Sequence, residues 1–401
     1  MWGKSAKVGE KVSAHIDSAS LSSRQLGNYA YIRSTSTNLI MAKNLSAAIR
    51  QSPPIDLSIP YDAAWVKGKT ILITGGASGF GAGFVRHWAK SGATVVIGDI
   101  NVEGGLELVR DVQKETGNER VHFVQCDVTD WQSQVNLFKE TARLSPHGGI
   151  DTVVANAGIA REDPLQQPRK LDAAEPPKPN LKIMDVNCTG VMYTTHLAYY
   201  WLRRNPGSAA CSMDSKPEET TRDRHLLLLG SIASLAPIPA QPQYGAAKHA
   251  VLGLFRALRA TSHPQGVRIN LICPYFIDTP IVTPGARVIL AGGAMGEVKD
   301  VVDAATRFVA DSRILGRALV IGPKVKVKQA EDGEWKLVEK KVPGSHETAI
   351  WEAYADDWEE VDAFMHNIVR IVNGVQVARG WIGWAVDMVK IVPYTLGFGR
   401  R

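Results

Sequence analysis

From residue 69 onward, short unbroken apolar runs alternate with stretches whose apolar positions recur every three or four residues. The unbroken runs are TILIT (70–74), ATVVIGDI (93–100), VHFVQCDV (121–128), IDTVVANAG (150–158), HLLLLG (225–230), VRINLICP (267–274) and ALVIGPKVKV (318–327). They read as strands buried on both faces. Between them, Ala82 to Lys90, Gly105 to Thr116, Trp131 to Leu144, Leu181 to Leu202, the run after Tyr244, and Asp300 to Asp311 carry helical spacing. This regular alternation predicts an α/β architecture with a doubly wound parallel sheet in a single catalytic domain.

The pattern breaks in four places. Residues 1–60 are serine-rich and basic, with Lys4, Lys7, Lys11, Arg24, Arg33, Lys43 and Arg50 against only Glu10 and Asp17 before Asp56. That composition fits an organellar transit segment, a flexible tail, or a chain whose start is Met41. The prolines at 53, 54 and 60 then mark a linker into a domain expected over 61–342. Arg161 to Asn180 is a proline-rich loop, and Arg203 to His225 reads as a polar surface insertion. Beyond 342 a helical extension is expected over 343–401. Trp351, Tyr354, Trp358, Val361, Met365, Ile368, Val372 and Val375 make a narrow stripe that predicts a packed helix over 347–378. Tryptophans with Arg379, Lys390, Arg400 and Arg401 make 379–401 a candidate for peripheral membrane contact.

Composition narrows the class. The chain has 401 residues, is 45% hydrophobic and 21% charged, and carries a net charge of +6, as expected of a water-exposed globular domain with ample core. No run of Lys/Arg interleaved with aromatics marks a nucleic-acid face. Cys126, Cys188, Cys211 and Cys273 are far apart, with no CxxC pair and no metal-ligand spacing. They read as reduced thiols of an intracellular protein, so a cytoplasmic location is expected, with a mitochondrial one if the first 60 residues are a leader. No metal is expected.

Chemistry enters at the first strand. TILIT is followed by Gly75, Gly79, Phe80 and Gly81, and then by a helix. A strand, a glycine turn and a helix N-terminus make a phosphate site, because glycines admit a pyrophosphate and the helix amides favour its charge. The sheet is therefore expected to be Rossmann-type. The next strand ends in Asp99, whose carboxylate can bind both ribose hydroxyls of NAD and would repel the 2′-phosphate of NADP.

Ser231, Tyr244 and Lys248 supply a second constellation. Tyr244 and Lys248 are four apart on a helical run and leave one face on successive turns. A nearby ammonium favours the phenolate, and a tuned phenol can exchange a proton with an alcohol or ketone. Ser231 lies just past a strand's carboxyl end, placed to polarise a carbonyl. Asn187 sits inside a predicted helix, where asparagine is mildly unfavourable without a task.

Taken in order, TGGASGFG from Thr74, Asp99, CDV at Asp127, NAG at Asn156, Asn187, Ser231, Tyr244-x-x-x-Lys248 and Pro274 with Thr279 resemble the short-chain dehydrogenase/reductase family over about Lys67 to Val342. LAPIPAQPQYGAAKHAVLG and LICPYFIDT are similar to its NAD-dependent hydroxyprostaglandin dehydrogenase branch. The resemblance implies that Tyr244 is the general acid/base, that Lys248 holds the nicotinamide ribose, that Ser231 orients the substrate oxygen, and that Asn187 anchors a water relay. It implies cofactor contacts from Gly75, Gly79, Phe80, Gly81, Asp99, Asp127, Val128, Asn156, Gly158, Pro274 and Thr279, and a substrate contact from Gln241. A homodimer or homotetramer is expected. Two departures stand out. Tyr275, a candidate substrate contact, replaces the usual glycine after Pro274 and places a large ring near the nicotinamide pocket, and Gly230 replaces the serine common before Ser231.

The expected function is an NAD-dependent interconversion of a secondary alcohol and a ketone. The aromatic and aliphatic segment Tyr275, Phe276, Ile281 and Val282 suggests a hydrophobic, lipid-like or secondary-metabolite substrate. The alternative is a non-catalytic protein that binds NAD as a structural or sensing ligand.

Overall fold

The chain divides into a unit over residues 1–47 and one over residues 48–401. The computed structural model describes residues 51–166, 172, 174–259, 261–280, 282, 295–330, 335–338, 342–353 and positions scattered between 367 and 386, all in the second unit. The expected leader, Ile281 and most of the segment after it lie outside the described residues.

Among the described residues, nine strands form one sheet: β1 (Thr70–Thr74), β2 (Thr94–Asp99), β3 (Val121–Gln125), β4 (Thr152–Ala155), β5 (His225–Leu229), β6 (Arg268–Pro274), β7 (Ala318–Gln329), β8 (Trp335–Leu337) and β9 (His346–Glu352). The parallel order is β3-β2-β1-β4-β5-β6-β7, and β8 and β9 both pair antiparallel with β7. The helices are α1 (Gly79–Lys90), α2 (Val102–Thr116), α3 (Trp131–Leu144), α4, α5 (Pro242–Arg259) and α6 (Val298–Ala310). Here α4 denotes one continuous run of Lys182–Met184, a π turn Asp185–Thr189, and Gly190–Leu202.

The unbroken apolar runs have their cause in this layering. Every residue of β1, β5 and β6 is buried, because helices cover both faces. Successive side chains alternate between two cores. Ile71 and Ile73 join Phe84, Trp88, Leu108 and Phe308 from α1, α2 and α6. Leu72 joins Leu137, Phe138, Leu197 and Phe255 from α3, α4 and α5. Helix starts are set locally. Asn101 accepts from the Gly104 amide to cap α2, and Asp130 accepts from Ser133 to cap α3.

Three expectations need correction. The segment 51–60 is strapped to the domain instead of being a linker. The Ser52 amide donates to the Leu315 carbonyl at 3.0 Å, Ile55 N donates to Glu352 at 2.8 Å, and Arg307 donates to the Ile59 carbonyl at 2.7 Å. The folded body therefore includes residues 51–60. The extension after 342 opens as a strand: β9 covers the otherwise open edge of β7, whose backbone groups need a partner. Trp351, the first member of the proposed helical stripe, lies on that strand, because one anchor residue fits a helical and a strand period equally well. Most of the stripe lies outside the described residues. The described positions from 367 onward are helical, but Ile371 and Val375 are exposed, and Trp381, Ile382 and Val386 are exposed as well, so the domain's own core does not bury them. Among the described residues no helix is long and apolar enough to cross a membrane.

The third correction concerns 203–225, which is only partly a surface insertion. Asn205 and Asp223 are buried at the amino ends of the strands. Asp223 takes Lys69 Nζ at 2.7 Å and Arg268 Nη2 at 2.7 Å, and Asn205 Nδ2 donates to Asp151 at 2.8 Å. Polar composition concealed these residues because their partners arrive from distant parts of the chain.

Candidate active site

The glycine turn between β1 and α1 is fixed by contacts that leave no room for side chains. Gly75 has φ +64°, and a Cβ on it would meet Ala157 Cα at 2.6 Å. One on Gly81 would meet the Gly75 carbonyl oxygen at 2.5 Å, so α1 packs directly on the turn. Gly79, at φ +55°, faces open space, with Thr279 the nearest neighbour at 3.9 Å. Ser78 is the N-cap of α1 and makes no side-chain capping bond, which leaves first-turn amides for an anion.

Above this turn lies a cleft of about 370 Å³. Of the residues named from the sequence, Gly75, Gly79, Phe80, Asp99, Asp127, Val128, Asn156, Gly158 and Thr279 line it. Gly81, Pro274, Tyr244 and Lys248 do not. Ser78, Asn101, Arg161, Lys182, Val186 and Pro280 also line it, and sequence reasoning did not single them out. Ser78 was discoverable as an N-cap inside the glycine turn. The others carry no local signal.

Asp99 is held rigidly at the end of β2. Its two carboxylate oxygens accept from Ala77 N and Asn101 N, each at 3.0 Å. Asn156 braces the turn, because its amide nitrogen donates to the carbonyls of Thr74 and Gly75 at 2.9 and 2.8 Å. Asp127 accepts from the Thr129 amide and hydroxyl at 2.8 and 2.7 Å.

The proton-transfer constellation adjoins one end of the cleft. Gly158 lines the cleft, and a Cβ on it would stand 3.4 Å from Asn187 Oδ1 and 3.8 Å from Lys248 Nζ. Asn187 sits at the centre of the π turn in α4 and makes a reciprocal pair with Ile159: Ile159 N donates to Oδ1 at 2.8 Å, and Nδ2 donates to the Ile159 carbonyl at 2.8 Å. π turns often mark functional positions, and this one explains an asparagine inside a helix. Lys248 Nζ is buried and donates to the Leu229 carbonyl at 2.9 Å, 5.8 Å from the centre of the Tyr244 ring. Burial pulls Lys248 down to about 8.

Burial pushes the Tyr244 phenol above its ordinary value, and the Ser231 hydroxyl, within hydrogen-bonding reach, pulls it back. Lys248, whose ammonium was expected to lower the phenol, donates to the β5 carbonyl of Leu229. Ser231 starts the 3₁₀ turn Ile232–Ser234. Its hydroxyl accepts from Ala233 N at 3.1 Å, and Ser234 returns a bond to the Ser231 amide at 3.1 Å.

The substrate candidates are more dispersed. Gln241 Nε2 donates to the Arg161 carbonyl at 3.2 Å, and Ala240 before it has φ +62°, which is strained for an alanine. Tyr275 is exposed and stacks edge-on against Phe276, with ring centres 4.8 Å apart. It does not line the cleft. Among the described residues no group of three His, Cys, Asp or Glu could hold a metal.

A family model described as enoyl-(acyl carrier protein) reductase matches residues 75–288. 5'-Hydroxyaverantin dehydrogenase of Dothistroma septosporum is 35% identical over 282 residues, covering 67% of this chain and 89% of that protein. The chain belongs to the short-chain dehydrogenase/reductase family. Within it, an NADP-dependent dehydrogenase of Phoma sp. is 32% identical over 71% of this chain and 83% of its own. The NAD(+)-dependent 15-hydroxyprostaglandin dehydrogenase of Mus musculus is 30% identical over 54% and 70%. A solved 3-ketoacyl-(acyl-carrier-protein) reductase from Brucella melitensis, complexed with NADH, superposes with TM-score 0.51 at 25% identity, over 64% of this chain and 97% of that one. The chain is thus an oxidoreductase that interconverts a secondary alcohol and a ketone with a nicotinamide dinucleotide. The alternative of binding without catalysis is left without support.

Proposed function

We propose that the cofactor is NAD, that Tyr244 is the proton-transferring group, and that the substrate is a hydrophobic secondary alcohol of the secondary-metabolite or lipid-like kind. The observation that carries the reading is the half-buried Tyr244 beside the Ser231 hydroxyl, on a helix whose next turn bears Lys248. The open face at Gly79 and the free amides of α1 fit a pyrophosphate, and Asp99 fits a ribose diol. When bound, the nicotinamide ring supplies or accepts the hydride. The chain's own residues do the rest. Ser231 holds the substrate oxygen, Tyr244 passes a proton to or from that oxygen, and Lys248 with Asn187 connects the phenol to the ribose and to solvent. Aromatic Tyr275 and Phe276 favour an apolar substrate body. The relatives' names, a hydroxyaverantin and a hydroxyprostaglandin dehydrogenase, point the same way. A homodimer or homotetramer, which sedimentation would read, completes the proposal. Release of reduced cofactor on a panel of hydrophobic secondary alcohols tests the substrate class, and turnover of short hydrophilic alcohols alone would overturn it.

Cofactor choice follows from Asp99. Arg161 and Lys182, the cations that line the cleft among the described residues, come from the loop after β4 and from α4, and neither comes from the glycine turn or the segment after Asp99. The expected result is a higher kcat/KM with NAD than with NADP. Asp99→Ala should weaken NAD and narrow the gap. A native preference for NADP, as in the Phoma relative, would show that the ribose end is read wrongly.

The pH dependence has a definite sign. Oxidation needs Tyr244 as phenolate, and burial raises that phenol above its ordinary value. Alcohol oxidation should therefore keep climbing as pH rises toward about 10, while ketone reduction, which needs the phenol, should fall only above that range. Profiles of kcat in both directions measure this, and an oxidation rate that levels off near neutrality would contradict it.

A further inference from the structure

We propose that Cys273 is a positioning residue for Ser231, and that residue 230 is glycine because the Cys273 side chain fills the space a side chain there would need. The inference rests on the assignment of Ser231 and Tyr244 above. It concerns why that serine stands where it does.

The register of the sheet sets the two residues side by side. β5 and β6 pair in parallel up to Leu229 opposite Ile272, and the Gly230 amide donates to the Ile272 carbonyl at 2.8 Å. One residue further on, Gly230 lies beside Cys273. A Cβ built on Gly230 would stand 2.8 Å from Cys273 Sγ, 3.0 Å from Ser234 Oγ and 3.2 Å from Leu271 Cδ1. The departure from the family's usual serine at this place thus has a local cause. The chain carries the bulk on β6 in place of β5.

The thiol is more than filler. Cys273 is buried on the sheet face covered by α5, the helix that presents Tyr244 and Lys248. Its sulfur packs against Gly230, the residue before Ser231, at the place the Ser234 hydroxyl also borders, and it raises the pH at which both Lys248 and Tyr244 ionise. The turn that carries Ser231 is therefore gripped from two sides. Lys248 holds the Leu229 carbonyl just before it, at 2.9 Å, and Cys273 packs against Gly230, between that carbonyl and Ser231. The mutual bonds of Ser231 and Ser234 close a small turn that rests on the sulfur. A hydroxyl that must meet a substrate oxygen gains from such support, because a displacement of about 1 Å can cost up to about 10²-fold in rate.

The test compares full-length Cys273→Ala, Gly230→Ala, the pair Gly230→Ala/Cys273→Ala, and the exchange Gly230→Ser/Cys273→Ala. Three readouts are kcat on a secondary alcohol, cofactor affinity, and ionisation of Tyr244. The last is read by near-ultraviolet titration as the difference between each chain and its Tyr244→Phe counterpart. Cys273→Ala should lower kcat about tenfold and leave cofactor affinity within about twofold. It should also shift the pH at which Tyr244 ionises, because Cys273 itself raises that phenol and the serine it positions lowers it. Gly230→Ala should lose more, because its methyl meets the sulfur, and removing the sulfur in the pair should recover part of the loss. The exchange returns a side chain to the same space and should restore both kcat and the titration.

If Gly230→Ala does not fold, Cys273→Ala and the exchange still decide. An unchanged kcat and titration in Cys273→Ala would overturn the proposal, as would an exchange no better than Cys273→Ala alone. The titration needs no substrate. It therefore judges Cys273 even if no alcohol is turned over, an outcome that would count against the substrate reading instead.

Discussion

Tyr244→Phe should cut turnover by about 10²-fold or more while the cofactor still binds. The ring is retained, so its packing at the start of α5 survives, and only the oxygen is lost. That oxygen lies beside the Ser231 hydroxyl and is the atom that passes the proton in the proposed step. Ser231→Ala should also be slow, for a different reason: it removes the partner that pulls the phenol down, so its residual activity should shift to higher pH. Cofactor fluorescence on binding separates a catalytic loss from a collapsed site. A Tyr244→Phe enzyme with near-normal turnover would remove the phenol from the mechanism.

The site was legible to the extent that local sequence dictates it. Glycines at 75, 79 and 81 are forced by backbone conformation and by contacts under 3 Å at 75 and 81, and such constraints leave a mark in any sequence. Asp99 sits at the end of a strand whose apolar run announces it. Tyr244 and Lys248 are one helical turn apart. What could not be read depends on register between distant strands. The sequence shows Gly230 only as a departure and Cys273 only as one of four scattered cysteines. Their contact exists because β5 and β6 pair in one particular alignment.

The same reasoning accounts for the fold's missed parts. β9 is seven residues that alternate weakly, and its pairing partner lies on β7, reached only after β8 and a turn have intervened. The strap at 51–60 has no periodicity at all. It is held through Glu352, which accepts from the Ile55 amide and pairs with buried Arg317. A proline-rich stretch reads as a linker until the residues that receive its backbone are known.

The charged cluster at the amino ends of the strands supplies the second large effect. Asp223→Asn should cost about 3–5 kcal/mol of stability, because it leaves two buried cations without their counter-charge. Lys69 and Arg268 both lie within 2.7 Å of Asp223, and all three are nearly inaccessible to solvent. Burial alone would push the Asp223 carboxyl up; Arg268 and Lys69 outweigh it and hold it well below the usual carboxylate range. A carboxyl depressed in the folded state stabilises above its unfolded value of about 3.9, and that contribution is lost as pH falls toward the folded one. The native chain should accordingly lose stability steeply below about pH 4, and Asp223→Asn should show a flatter acid limb on a lower plateau. Lys69→Met should be milder, since Arg268 still engages both carboxylate oxygens, at 3.0 and 2.7 Å. Combined with Asp223→Asn it should recover part of the loss, because one of the two stranded charges is gone. The cluster lies at the opposite end of the sheet from Ser231, so kcat per folded molecule should hold in every one of these variants. Denaturant midpoints measured from pH 3 to 8 test the whole set. A loss below about 1 kcal/mol in Asp223→Asn would mean that water reaches these cations and that the amino end of the sheet is more open than its packing shows.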